Sequence, residues 1–123
     1  MREESYNGWT NYETWVIALW LSNERGVYEF WRDAARRHWN EARTAKQVVA
    51  EVWSRNEAAK FNLADQIRED IFNNAPDLIG MYGELLHAAF CEVNWTEIAD
   101  DILVEVIESA RSHEEVTEVS TNE

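Results

Sequence analysis

Proline and cysteine each occur once in this chain of 123 residues, and glycine four times. So few breakers leave long stretches free to form helix. The single thiol, Cys91, has no internal partner, which excludes a disulfide framework and gives no sign of an oxidising compartment. Long apolar runs are also missing: the longest is Trp15 to Leu21, far short of the ~20 residues that span a bilayer. The opening Met-Arg-Glu-Glu-Ser lacks the basic-then-apolar order of a secretory signal. The expectation is a soluble, cytoplasmic protein.

Basic residues are scarce in one half only. Residues 1–60 carry nine Lys+Arg and nine Asp+Glu, whereas residues 61–123 carry two (Arg68 and Arg111) against fifteen. The whole net charge of −13 therefore belongs to the second half. Such a surface repels nucleic acid, whose phosphates need Lys and Arg, and it disfavours anionic membranes. It would instead draw in a basic partner protein and speed the encounter.

Aromatic residues are abundant. Three of the seven tryptophans fall between Gly8 and Leu21, a stretch that also carries a Thr10-x-x-Glu13 capping-box pattern. Tyr12, Trp15, Val16, Leu19 and Trp20 follow with helical spacing, predicting a helix from about Asn11 to Ser22. Asn23 to Gly26 reads as its stop. A second helix is expected from Val27, with Phe30, Trp31, Ala34, Ala35 and His38 inward and Arg32, Arg36, Arg37 and Arg43 mostly outward. Residues 44–60 suggest a third, on a stripe of Ala45, Val48, Val49, Val52 and Trp53, with its separation from the second left open. Ala59 to Phe72 suggests another, with Leu63, Ala64, Ile67, Ile71 and Phe72 inward. Asn73 to Asp77, holding the proline, is the clearest break. Leu78 to Val93 reads as helical, with Leu78, Ile79, Tyr82, Leu85, Leu86, Ala89 and Phe90 inward, although Gly80 and Gly83 make its first turns irregular or closely packed. Asn94 caps a last helix from Trp95 to about Ser112, built on Trp95, Ile98, Ala99, Ile102, Leu103, Val106 and Ala110. No stretch alternates as a strand would. The fold expected is an all-α bundle of about five or six helices in one domain, residues 1–112, with residues 113–123 an acidic flexible tail.

Several groups are candidates for function. Glu97, Asp101, Glu105 and Glu108 share one face of the last helix, with Asp100 beside them. Like charges four apart cost a few tenths of a kcal/mol per pair. Solubility explains such a stripe, and so does imitation of the phosphate array of DNA. Asp65, Glu69 and Asp70 are possible additions. The Trp/Tyr run fits a core face better than a recognition surface, and Trp9 and Tyr12 are its members expected outside. His87 and Cys91 have the spacing of two metal ligands and Glu84-x-x-His87 that of half a carboxylate di-metal motif, but the other half is missing. Without a phosphate loop or nucleophile elbow the chain is expected to be no enzyme and to need no cofactor.

The run Gly8-Trp9-Thr10-Asn11-Tyr12-Glu13-Thr14-Trp15, followed by Leu19-Trp20-Leu21, resembles the opening of a family of small uncharacterised proteins of phages, plasmids and some prokaryotic genomes. Val93-Asn94-Trp95-Thr96-Glu97-Ile98-Ala99 is similar to its second signature, so the resemblance spans Tyr6 to Leu103. It implies a mobile-element context, in which small acidic proteins often block restriction or CRISPR complexes, by association only. The leading expectation is a non-enzymatic acidic protein meeting the basic surface of a host nucleic-acid-binding complex without binding nucleic acid itself. The alternatives are a self-associating assembly protein, as a homodimer pairing its Arg-bearing and acidic halves, and a metal protein or enzyme centred on Glu84, His87 and Cys91.

Overall fold

The computed structural model describes residues 6–45, 50–51 and 53–121, with side-chain surroundings as far as residue 112. Among the described residues the fold is all-α in one domain. Its helices are α1 (Tyr12–Asn23), α2 (Arg25–Ala42), α3 (Arg55–Asn74), α4 (Gly80–Glu92) and α5 (Trp95–Thr121). The sole β-type pairing among them is a bridge between Tyr6 and Trp9.

The core lies where α2, α3 and α5 pack on one another. Trp31, Ala34 and Ala35 from α2 meet Ala58, Ala59, Leu63 and Ile67 from α3, and Ile98, Ala99, Ile102, Leu103, Val106 and Ile107 from α5. Alanines at the contact let the helix backbones approach, and the branched residues fill the remaining space at interior density. The predicted stripes of α3 and α5 are thus core, although Phe72 at the end of the α3 stripe is exposed. The tryptophans do not supply the core. Only Trp31 is buried, while Trp9, Trp39, Trp53 and Trp95 cover its edges and Trp20 is 68% exposed.

Local sequence explains the breaks, some of them away from the expected positions. α1 and α2 are separated by Glu24 alone, in extended conformation, so Arg25 and Gly26 already belong to α2, and Phe30 points outward from it. No helix covers the described residues between Arg43 and Ser54, which correct the helix expected over 44–60. Thr44 and Ala45 close turns back to α2, and Glu51 has φ +62°, outside right-handed helix. Val48, Val49 and Val52 of that stripe lie outside the described residues. α3 starts where Ser54 and Glu57 form a full capping box, the pattern expected of Thr10 and Glu13. The Arg55 guanidinium lies 3.7 Å from the centre of the Trp39 ring and donates to the Trp39 carbonyl, tying this start to α2. α5 continues past Ser112 to Thr121.

α4 departs most from expectation. It begins at Gly80, not Leu78, and none of its residues is buried. Leu78, Ile79, Tyr82 and Leu85, expected inward, are exposed, with Ile79 at 85%. Leu86, Ala89 and Phe90 face inward only in part. The helix is held at its inner side by Phe90, which stacks on Phe72 with centroids 4.8 Å apart, Trp95 lying edge-on to Phe72. The Leu78 carbonyl sits where a side chain at Gly83 would begin, so only glycine fits there.

Candidate functional site

The two signature stretches, eighty residues apart in the chain, meet in space. The first opens with a tight turn. Asn7 (φ +48°) and Gly8 (φ +90°) both lie in the left-handed region that a type I′ turn requires. Tyr6 and Trp9 exchange backbone hydrogen bonds of 2.6 and 2.8 Å across it. The turn sets Trp9 against the core beside α5.

Asn11, not Thr10, then caps α1, its Oδ1 accepting from the Thr14 N–H at 2.9 Å. Asn11 Nδ2 donates to the Glu92 carbonyl at the end of α4 (2.7 Å). The Thr14 hydroxyl donates to Asn11 Oδ1 (2.6 Å) and accepts from the Asn94 N–H (2.9 Å). Asn94 in turn caps α5, its Oδ1 accepting from the Glu97 N–H at 3.1 Å. Glu97 returns the contact by accepting from the Thr10 N–H at 3.1 Å. Two helix N-termini and one C-terminus therefore share a closed hydrogen-bond network around Thr14, a fully buried polar residue.

The acidic stripe begins at this junction and runs along α5. Glu97 is engaged as just described, and Glu105 accepts from the Tyr28 hydroxyl at 2.9 and 3.0 Å through its two oxygens. Asp100 is half-buried, and Asp101 and Glu108 are exposed. Among the described residues, ion pairs join Arg25 to Glu29 and Arg36 to Asp33, and neither reaches the stripe. The Arg32 guanidinium lies over the Tyr28 ring and Arg37 donates to Gln66, which also bonds His38. Among the described residues, the Arg-bearing face of α2 thus forms no ion pair with the stripe.

Beside the stripe a cavity of about 150 Å³ opens between α1, α2 and α5. Trp9, Trp15 and Tyr28 supply its aromatic wall, Leu19, Leu21 and Ile98 its aliphatic one, and Asp101 its carboxylate. Trp9 and Asp101 also border a shallower cleft with Gly8, Glu97, Asp100 and Val104. Trp9, expected outside, is partly buried with one side on each space, and Tyr12 is exposed, its ring 5.1 Å from Tyr6 and 5.8 Å from Trp15. Asp65, Glu69 and Asp70 are exposed on α3 and line neither space. Tyr28 was not singled out by the sequence, since its partner Glu105 is 77 positions away and no local pattern joins them.

Charge crowding shows in the carboxylates. Asp101 has its pKa raised, first by partial burial and then by Glu105, Asp100 and Glu97. Burial, the hydrogen bond to Glu105 and that residue's charge raise Tyr28 likewise. For Asp101 the folded state holds its proton more tightly than the unfolded chain. Its contribution to stability is thus fully present below the unfolded pKa, near 3.8, and is lost as pH rises through the folded value. Asp101→Asn is accordingly expected to raise the melting temperature at neutral pH and to lose that advantage toward pH 3.5, as thermal melts across pH will show.

His87 and Cys91 are both exposed on α4, with Cys91 Sγ 3.5 Å from His87 Nε2. Among the described residues no group of three or more His, Cys, Asp or Glu is placed to hold a metal ion, and Glu84 does not complete one. Nor, among the described residues, is any helix long and apolar enough to cross a membrane.

No curated protein and no solved structure matches this chain. One family model does, over residues 2–115, which takes in both signature stretches and the whole three-helix core. The chain belongs to the DUF7249 family, a family of unknown function.

Proposed function

We propose that this is a non-enzymatic acidic binding protein whose α5 face docks on the basic surface of a nucleic-acid-binding complex. The observation that carries the reading is the uncompensated stripe of Glu97, Asp100, Asp101, Glu105 and Glu108, which meets no cation among the described residues. An acidic array retained without internal counter-charge destabilises its own helix and gains by meeting Lys and Arg outside. In a phage or plasmid setting, as the first signature suggests, the partner is a restriction or CRISPR complex in the host cytoplasm, and the stripe stands in for DNA phosphates. Trp9 borders that surface, with the exposed Tyr12 further out on α1, and Asp65, Glu69 and Asp70 add to the acidic field.

The test is competition with a labelled duplex for such a complex. Asp100→Lys combined with Glu108→Lys touches no hydrogen bond of the fold. The pair is expected to weaken competition at least tenfold with helical content unchanged, and raised salt should weaken the unmodified protein as well. Competition that survives both changes would sink the idea.

A second reading, self-association, is favoured by the outward apolar residues of α4, with Met81 and Tyr82 each about two-thirds exposed. It predicts a dimer whose mass persists at high salt and which Leu85→Arg dissociates. A salt-sensitive dimer untouched by Leu85→Arg would point instead to pairing of the Arg-bearing and acidic halves.

A further inference from the structure

The aromatic cavity has a size and a chemistry that the acidic stripe alone does not explain. At about 150 Å³ it is smaller than the ~300–1,000 Å³ typical of sites for drug-sized molecules. Empty space of that order holds a single ring or one side chain. Its wall is also not uniformly apolar. Two indoles and a phenol face the space together with the Asp101 carboxylate, and the neighbouring cleft adds Asp100 and Glu97. Aromatic faces attract cations through their negative quadrupole, and carboxylates pair with them directly. An apolar stem with a cationic head is the group that matches both kinds of wall.

We propose that this cavity receives one arginine side chain of the basic partner, its methylenes against Trp9 and the aliphatic wall and its guanidinium against Asp101. The proposal rests on the acidic-docking reading above and specifies where that contact is centred. Arginine is preferred to lysine because a planar, weakly hydrated guanidinium stacks on indole and donates two parallel N–H bonds to a carboxylate. The environment of Asp101 agrees. Partial burial and then three neighbouring carboxylates make its ionised form costly, and a bound cation would relieve the repulsion among them. The hydrogen-bonded Glu105–Tyr28 pair holds the Tyr28 side of the cavity to α5. The Asn7-Gly8 turn positions Trp9 between cavity and cleft, so the first signature stretch serves recognition as well as capping.

The experiment is a titration of the full chain with N-acetyl-arginine amide at constant ionic strength, followed by the indole N–H resonances of Trp9 and Trp15. N-acetyl-lysine amide and N-acetyl-leucine amide serve as comparisons. Arginine amide is expected to saturate both resonances, lysine amide to bind several-fold more weakly, and leucine amide to give no saturable shift. Asp101→Asn should weaken arginine binding about tenfold, while Glu41→Gln, at an exposed carboxylate of α2 that lines neither space, should change it less than twofold. Equal responses to arginine and leucine amides would reduce the cavity to an apolar hollow and overturn the proposal. So would unchanged binding in Asp101→Asn, whose fold is checked by its melting temperature. Failure here with charge reversal still abolishing DNA competition would leave the docking surface in place and remove only its arginine pocket. Arginine capture without any competition would instead remove the docking reading.

Discussion

Leu103→Ala, or Leu63→Ala, is expected to destabilise the protein by about 2–5 kcal/mol, whereas Leu85→Ala will cost less than about 0.5 kcal/mol. Leu63 and Leu103 are wholly buried where α2, α3 and α5 meet, so truncation leaves a cavity among side chains that are themselves locked by packing. Leu85 is 59% exposed on a helix without a buried residue. Domains of this size are stable by about 5–15 kcal/mol, so either core change removes a large share of the total. Urea unfolding at low protein concentration reads both effects, the midpoint falling for the core variants with an unchanged slope. The comparison also bears on association. If Leu85→Ala becomes costly only as protein concentration rises, α4 is covered by a second copy, because dimerisation then contributes to the measured stability. If it is costly at every concentration, the peripheral place of α4 is wrong.

The same contrast shows what the sequence could reveal. α2, α3 and α5 each present apolar residues on one side and charges on the other, so spacing alone finds Trp31, Ala34 and Ala35, then Leu63 and Ile67, then Ile98, Ala99, Ile102 and Leu103. α1 and α4 are apolar on most sides. Periodicity then has no direction to report, and an inward stripe chosen on either helix is a choice among equals. Trp20 and Tyr82 therefore read as interior residues although both lie largely in solvent. A large ring can bury much of its surface at the edge of a core without entering it, as Trp9, Trp39, Trp53 and Trp95 do.

At the first signature the sequence places the start of α1 to within a residue but assigns its cap to Thr10 in place of Asn11. A Thr-x-x-Glu pattern and an Asn-x-x-Thr pattern lie there one residue out of step. Asparagine caps at least as well as threonine, and Asn11 also reaches Glu92, a contact no local pattern encodes. The candidate site divides in the same way. The stripe is one helix face and follows from spacing. The cavity is assembled from Trp9, α1, Tyr28 and Asp101, brought together only by the tertiary fold. Trp9 and Asp101 stand out in the sequence for other reasons, expected exposure and the acidic stripe, and neither points to a cavity.

Thr14→Val is expected to cost about 1–3 kcal/mol although it preserves the shape of the side chain. The valine cannot accept from the Asn94 N–H or donate to Asn11 Oδ1, and at a site with no solvent exposure water does not replace either bond. Thr14→Ser keeps the hydroxyl and gives up one methyl group, a loss of about 0.8 kcal/mol at most. Asn94→Ala removes the cap of α5, for about 0.5–2 kcal/mol, and also the Nδ2 contact to the Thr10 hydroxyl. Because both changes strike one closed network, their effects will not add. The double variant should be less destabilised than the sum of the singles by about 0.5–3 kcal/mol, measured as a thermodynamic cycle in urea. Additive losses would mean that the two signatures cap their helices independently. A coupling of the expected size would mean that they act as one device, fixing the start of α1 to the start of α5. Through Glu97 that device fixes the acidic stripe and the Trp9 wall in a single register, so weakening Thr14 should loosen the binding face before the three-helix core unfolds.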